Sequence, residues 1–432
     1  MRGARAPAAV TAPGGRARAT FRALRHRDYR LFFFGQLVSL VGTWMQSVAQ
    51  SWLAYRLTGS AALLGVVAFS GQIPALLFAS WGGVAADRFS RRAILLATQL
   101  ASMALALALA GLTLSGHIEV AHILVLAALL GAVNAFDIPA RQAFVVELVG
   151  RDDLINAIAL NSSAFNGARM VGPALAGVLV ARLGEGWCFL LNGASYLAVL
   201  GGLLAIGPRP AVRTRAGASM LAHIAEGYRY AAAARPVRAL LLLLGVVSLT
   251  AMPYAVLMPI FADRVLGGGS AALGLLMGAS GVGALSGALT LASRRGIAGL
   301  GRWVAISAAG FGIALVLFSL SRWLWLSVAI LVPAGFFMIN QMASSNTLIQ
   351  SVVPDRFRGR VMALYTMMFM GMAPFGALGA GAAAERWGAP ATVAAGGALA
   401  LAAALVFARR IPSLRVEMRA MIVALDDPAG RA

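Results

Sequence analysis

The stretch Gly83-Val84-Ala85-Ala86-Asp87-Arg88-Phe89-Ser90-Arg91-Arg92 sits between two apolar blocks, residues 61–86 and 93–114. It places one acid and three arginines within six residues, whereas Leu95 to Leu114 beyond it contains no charge. Blocks of about 20 apolar residues are long enough to cross a bilayer. Backbone groups in lipid must bond internally, so such blocks are helices. The chain therefore crosses, turns within a few charged residues and crosses back.

Worked outward, the same reading covers the whole chain. Of 432 residues 60% are hydrophobic and only 12% charged, about half the share of charge in a soluble protein. Apolar blocks predict twelve spans at 31–54, 61–86, 93–114, 121–139, 158–182, 187–206, 237–261, 271–293, 303–320, 324–350, 361–384 and 390–408. An even number puts both chain ends on one side of the membrane. The net charge is +21 and every basic residue is Arg. Thirty arginines lie on the side of the chain ends and five on the other (Arg56, Arg182, Arg264, Arg322 and Arg386), with Arg169 inside span 5. The positive-inside rule makes the arginine-rich side cytoplasmic. The expected place is a plasma membrane, the inner membrane of a bacterium, crossed many times.

The longest gap, 207–236, opens with Pro208-Arg209-Pro210 and divides the chain. The expected parts are a basic cytoplasmic tail (1–30), a first six-helix bundle (31–206), a cytoplasmic linker (207–236), a second bundle (237–408) and a cytoplasmic tail (409–432). Within the linker, Ala218 to Ala234 reads as a short amphipathic helix with Arg229 and Arg235 near anionic headgroups. Residues 1–27 carry seven arginines and no acid, read as a cytoplasmic tail rather than a transit peptide. The halves repeat. Gly59-Ser60-Ala61-Ala62-Leu63 recurs at Gly269-Ser270-Ala271-Ala272-Leu273, and Phe165, Gly167, Gly172 and Gly177 recur at Phe369, Gly371, Gly376 and Gly381. Duplicated halves mark secondary transporters, whose substrate site lies between the repeats.

Several classes are excluded. The arginines sit in short gaps between apolar blocks, which fits membrane topology rather than nucleic acid. Cys188 is the single cysteine, and the four histidines are scattered without metal-ligand spacing, so no metal site is expected. No lysine exists to complete a phosphate-binding loop, and no Gly-x-Ser-x-Gly element occurs. Neither an ATP-driven pump nor an enzyme is indicated, and no cofactor is expected.

The loop Gly83 to Arg92 resembles the signature loop of the major facilitator superfamily, with Ser90 where the family usually has glycine. The resemblance implies that Asp87, with Gly83, Arg88, Arg91 and Arg92, latches the two halves on the cytoplasmic side. Asp87 is expected to meet the positive end of a neighbouring helix or to pair with Arg91. A second run is Asp137-Ile138-Pro139-Ala140-Arg141, then Asp152 to Ala157, then Asn166-Gly167-Ala168-Arg169-Met170-Val171-Gly172-Pro173-Ala174-Leu175-Ala176-Gly177. It resembles the branch that includes the enterobactin exporter and macrolide efflux proteins, the transmembrane secretion effector group. The implied fold is all-α, two pseudo-symmetric six-helix bundles around a central cavity. Its span 5 glycines and Pro173 resemble the antiporter motif, suited to close packing and bending. Span 4 lacks the mid-span Arg of many proton-coupled drug exporters.

Candidate substrate contacts follow from polar residues placed where lipid would penalise them. Span 1 carries Gln36, Ser39, Thr43, Gln46 and Gln50 along one face. Span 5 adds Asn161, Phe165 and Arg169, span 10 adds Asn340 and Gln341, and span 11 adds Tyr365 and a methionine run from Met367 to Met372. Arg169 needs a partner or water, and Asp137 is the expected acid, with Arg141 beside it. The expected function is secondary export of a small amphipathic molecule, a drug or siderophore. The resemblance implies the proton as coupling ion. Uptake of a lysolipid or nutrient by the same fold, or a non-transporting receptor or scaffold, remains open at this point.

Overall fold

The computed structural model describes residues 21–207, 220–294 and 296–426. The tail through residue 20, the linker opening at Pro208-Arg209-Pro210, Arg295 and residues 427–432 lie outside the described residues. The described residues contain no strand. Twelve helices are long and apolar enough to cross a bilayer. In order they are Arg27–Thr58, Ala61–Arg88, Arg91–Leu114, Val120–Val149, Leu154–Leu183, Glu185–Ala205, Arg235–Val265, Gly269–Ser293, Leu300–Leu320, Leu324–Val352, Asp355–Trp387 and Ala389–Arg419. The numbering of spans 1 to 12 is kept.

Most helices run past the apolar blocks at their polar ends, because a helix need not stop where lipid does. The last continues to Asp426, so the described part of the expected C-terminal tail is helical. Two spans are interrupted. Span 7 passes through a 3-10 turn at Met252–Ala255 and a π-turn at Phe261–Val265, beside Pro253 and Pro259, which lack the N–H a helix needs. Span 11 carries a π-turn at Met367–Gly371 just before Pro374, an accommodation of the same kind.

The packing repeats as the sequence does. Spans 2 and 4, 3 and 6, and 1 and 6 pack together in the first half, and so do spans 8 and 10, 9 and 12, and 7 and 12 in the second. The halves meet through two equivalent pairs, span 5 on span 8 and span 2 on span 11. Glycines make both approaches possible. A Cβ at Gly177 would lie 2.9 Å from Gly274 Cα and 3.1 Å from the Ser270 carbonyl oxygen. One at its repeat partner, Gly381, would lie 2.7 Å from the Ala61 carbonyl oxygen and 3.0 Å from Gly65 Cα. Residues matched by the 204-residue shift thus do the same work at opposite sides of the molecule.

The face carrying the described chain ends and the linker is termed the terminus face. There Arg22 and His26 both bind Asp153, and the Ala23 N–H donates to Asn156 Oδ1 at 2.8 Å. The His26 ring and the Arg22 guanidinium hold the Asp153 carboxyl below the usual carboxylate range. The linker helix, Met220–Ala233, is seated on the start of span 11. Tyr230 stacks on Phe357 at 4.5 Å and Arg360 pairs with Glu226 at 2.6 Å. The expected membrane-surface helix is therefore partly satisfied by protein, although Arg229 is exposed.

Candidate substrate cavity

The polar face of span 1 divides by depth. Thr43, Gln46 and Gln50, with Trp44, Ser47 and Ser51, line a cavity of about 390 Å³. Gln36 and Ser39, nearer the terminus face, are buried in the first half and do not line it. Gln46 Oε1 accepts a hydrogen bond from Asn192 Nδ2 at 2.7 Å, and Thr43 donates to the Ser39 carbonyl at 2.9 Å. Gln72 of span 2, Asn134 of span 4, and Asn192 and Tyr196 of span 6 complete the polar lining. These four were missed in the sequence. For Gln72, Asn134 and Asn192 the signal was present, since a lone amide in an apolar span is costly unless it meets protein or water. Ala255 and Val256, at the break in span 7, and Met277 of span 8 bring the second half to the same cavity.

Arg169 lies beside this lining and not against an acid. Its guanidinium is 5.7 Å from the Trp44 ring centroid, and Nη2 is 3.7 Å from Met338 Sδ across the halves. Phe165, 46% exposed, sets its ring edge-on to Trp44 at 5.5 Å. Among the described residues no carboxylate pairs with Arg169. Asp137, the expected partner, is 2% exposed and fully engaged elsewhere. Oδ1 accepts from Thr98 Oγ1 and Gln99 Nε2, each at 2.8 Å, and Oδ2 pairs with Arg141. The reason is helical geometry, because Arg141 is one turn along the same face of span 4. Arg169 is thus a cation with an aromatic neighbour at 5.7 Å and no carboxylate partner among the described residues.

The other candidates lie away from this cavity. Asn161 accepts from the Tyr29 hydroxyl at 3.0 Å and ties span 5 to span 1. Asn340 accepts from Trp303 Nε1 at 3.0 Å and donates to the Phe336 carbonyl at 2.9 Å. Tyr365 donates to the Met342 carbonyl at 3.0 Å. Gln341 is fully buried, and neither of its amide atoms has a protein partner. None of these four residues lines the described cavity.

The two faces of the molecule differ. At the face opposite the chain ends the halves are joined by side chains. Tyr55 donates to Asp263 Oδ2 at 2.8 Å, and Arg264 donates to the carbonyl of Gly59 at 2.8 Å. Gly59 has φ of 61°, a left-handed turn that ends span 1. Glu385 Oε2 accepts from Ser60 Oγ and the Ala62 N–H, both at 3.0 Å. It thereby caps span 2 from across the interface.

At the terminus face the described ion pairs join elements of one half, or the linker helix to span 11. Asp87 is exposed there and has no partner among the described residues. It does not pair with Arg91, which bonds Glu147 at 2.6 Å, while Arg92 donates to the Leu203 carbonyl at 2.7 Å. Span 2 ends at Arg88 and span 3 begins at Arg91, so residues 87 and 91 do not share a helix face. Arg88 is exposed beside them. Gly83 and Gly167 have nothing within 4 Å of an added Cβ, and Gly82 instead faces span 4 at Ala135. A Cβ added at Gly172 would lie 2.5 Å from that of Trp44, so the close approaches of span 5 come from Gly172 and Gly177, while Pro173 is buried within the helix. The cross-half contacts therefore occupy the middle and the opposite face and give out toward the terminus face.

Comparison with known proteins agrees with this geometry. The family model for transmembrane secretion effectors matches residues 18–427. The chain is 27% identical over 354 residues to the staphyloferrin A transporter of Staphylococcus aureus, covering 81% of this chain and 87% of that one. It is 28% identical to the multidrug efflux pump Tap of Mycolicibacterium fortuitum over 378 residues (84% and 90% covered). It is also 28% identical to the enterobactin exporter EntS of Escherichia coli over 380 residues (82% and 86%). Among solved structures, a peptide transporter POT variant superposes with TM-score 0.74 at 14% identity (91% and 96% covered). A bacterial homologue of the lysosomal transporter Spinster superposes with TM-score 0.67 at 15% identity (94% and 99%). The family and fold are those of transporters and not of enzymes. Twelve apolar helices arranged as two matched halves, with a polar cavity between them, make this chain a member of the transmembrane secretion effector family of major facilitator transporters.

Proposed function

We propose that this transporter exports a small amphipathic molecule, a drug or a siderophore, by alternating access, with the proton as its coupling ion. The observation that carries the reading is the asymmetry of the contacts between halves. They cross at the face opposite the chain ends and give out toward the terminus face. In this reading the terminus face is cytoplasmic, as the split of thirty arginines to five argues. The conformation is then the one that loads substrate from inside. Rocking of the halves would part Tyr55 from Asp263 and Glu385 from Ser60, and bring Asp87 toward the opposite half. Asp263 and Glu385 accept the cross-half bonds of this gate, so a proton on either carboxylate would weaken the closed outer face.

The cavity suits such a cargo. Uncharged amides and hydroxyls offer hydrogen bonds and Trp44 offers an apolar surface, with Phe165 and the positive charge of Arg169 behind it against the same ring. The relatives named for siderophores and for multidrug efflux support the substrate class. The test is transport by the purified protein in proteoliposomes with an imposed pH gradient, oriented by a reporter fused at Ala432. Accumulation on the side away from the chain ends, abolished by a protonophore, is the expected result. Movement that ignores the gradient would remove the coupling claim, and movement toward the cytoplasm would favour uptake.

A further inference from the structure

A second cavity, of about 290 Å³, lies at the terminus face of the second half. Its walls are the loop into span 9, the last turn of span 10 and the extension of span 12. Arg302, Arg415 and Arg419 line it, and no acid does. Nearby arginines have found partners, Arg235 with Glu417 at 3.3 Å and Arg360 with Glu226 at 2.6 Å. The three around the cavity have neither an ion pair nor a hydrogen bond among the described residues. The floor is apolar, with Leu348, Val352 and Ile411.

The start of span 9, at Leu300, adds first-turn amides and the positive end of a 21-residue helix. Height fits as well. At about 1.5 Å per residue from Ala389, Arg415 lies about 39 Å along span 12 and Arg419 about 45 Å. A bilayer with its headgroups is about 40–45 Å thick, so an upright span 12 puts both arginines at headgroup level.

We propose that this cavity binds the headgroup of an anionic phospholipid, with its phosphate among Arg302, Arg415 and Arg419 and its glycerol esters on the apolar floor. A free phosphate ion would satisfy the arginines and leave the floor without a partner. If the terminus face is cytoplasmic, the lipid comes from the inner leaflet; binding in detergent does not depend on that orientation.

The test uses the delipidated full-length protein in neutral detergent, titrated with phosphatidylglycerol, phosphatidylcholine or inorganic phosphate and read by native mass spectrometry. Phosphatidylglycerol should bind at least about tenfold more tightly than phosphatidylcholine, and phosphate should not displace it. Taking roughly a factor of five for each arginine that meets the bound phosphate, Arg302→Gln/Arg415→Gln/Arg419→Gln should lose on the order of a hundredfold. Arg415→Gln alone, the milder change, should lose about fivefold. A control with Arg151→Gln/Arg409→Gln/Arg410→Gln removes three exposed charges that do not line the cavity, and should bind as the parent does. Equal affinity for the two lipids overturns the proposal, and so does an equal loss in the control. Displacement of the lipid by phosphate reduces the cavity to an ion site and also overturns it.

Discussion

Gly65→Ala and Gly177→Ala are small changes placed where the halves touch. The new methyl at residue 65 would sit 2.5 Å from the Ala377 carbonyl oxygen, and the one at residue 177 would sit 2.9 Å from Gly274 Cα. Both obstacles are backbone atoms of the other half, so no side chain can swing away to relieve the clash. Overpacking of this kind costs about 1–3 kcal/mol. Each half is well packed internally, so the cheapest relief is to separate the halves at this face. A cost of about 2 kcal/mol borne only by the described state raises the alternative state about thirtyfold. Cys188 is the single, buried cysteine. Cys188→Ala with Gln50→Cys therefore gives one reporter thiol in the cavity. An impermeant thiol reagent added at the face opposite the chain ends should label it faster in either glycine variant, by about the same factor. Gly83→Ala and Gly167→Ala, with open space at both positions, should leave the rate unchanged. An unchanged labelling rate in Gly177→Ala, in a protein that melts like its parent, would refute the account of these glycines as the closed gate.

Three further outcomes are expected. Arg169→Lys should keep partial transport and Arg169→Gln should weaken substrate binding without a large loss of stability, because no carboxylate is left unpaired; ligand binding and thermal unfolding in detergent separate the two effects. Asp87→Asn should leave thermal stability unchanged within about 0.5 kcal/mol, as expected for an exposed, unpartnered side chain, yet slow transport if the opposite conformation uses the latch; normal transport would reduce the loop to a topology signal. The anchor of Arg22 and His26 on Asp153 should respond to acid in one direction. The Asp153 pKa is depressed in the folded protein, so the carboxylate's contribution is present above its ordinary pKa and is lost as pH falls through the lowered one. Hydrogen exchange of the Ala23 amide should therefore stay slow through mildly acidic pH and rise only below the usual carboxylate range, and Asp153→Asn should remove that dependence.

Much of this architecture is a matter of one-dimensional pattern. Lipid demands long apolar helices, so the number of spans and the distribution of arginine could be read residue by residue. The internal repeat was also local enough to see, and Gly177 and Gly381 do occupy equivalent interfaces. Polar residues in span 1 could be identified as out of place, but not sorted. Thr43, Gln46 and Gln50 reach the cavity, whereas Gln36 and Ser39 are buried beside other helices, because depth along a span is invisible to helical periodicity.

Pairing was decided only by the tertiary structure. Asp137 and Arg169 are both costly in a membrane, which made them natural partners on paper. Asp137 instead takes Arg141, Thr98 and Gln99, all within reach of its own face, and leaves Arg169 to Trp44 and Met338. The same holds for the gate. Nothing in the residues around Ser60 announces that Glu385, more than three hundred positions away, caps the helix they begin. Sequence determined which segments must be helices and that they come in two matched halves, since those follow from what lipid forbids. The contacts between the halves depend on how two rigid bundles happen to lie against each other, and a transporter must be able to change that arrangement.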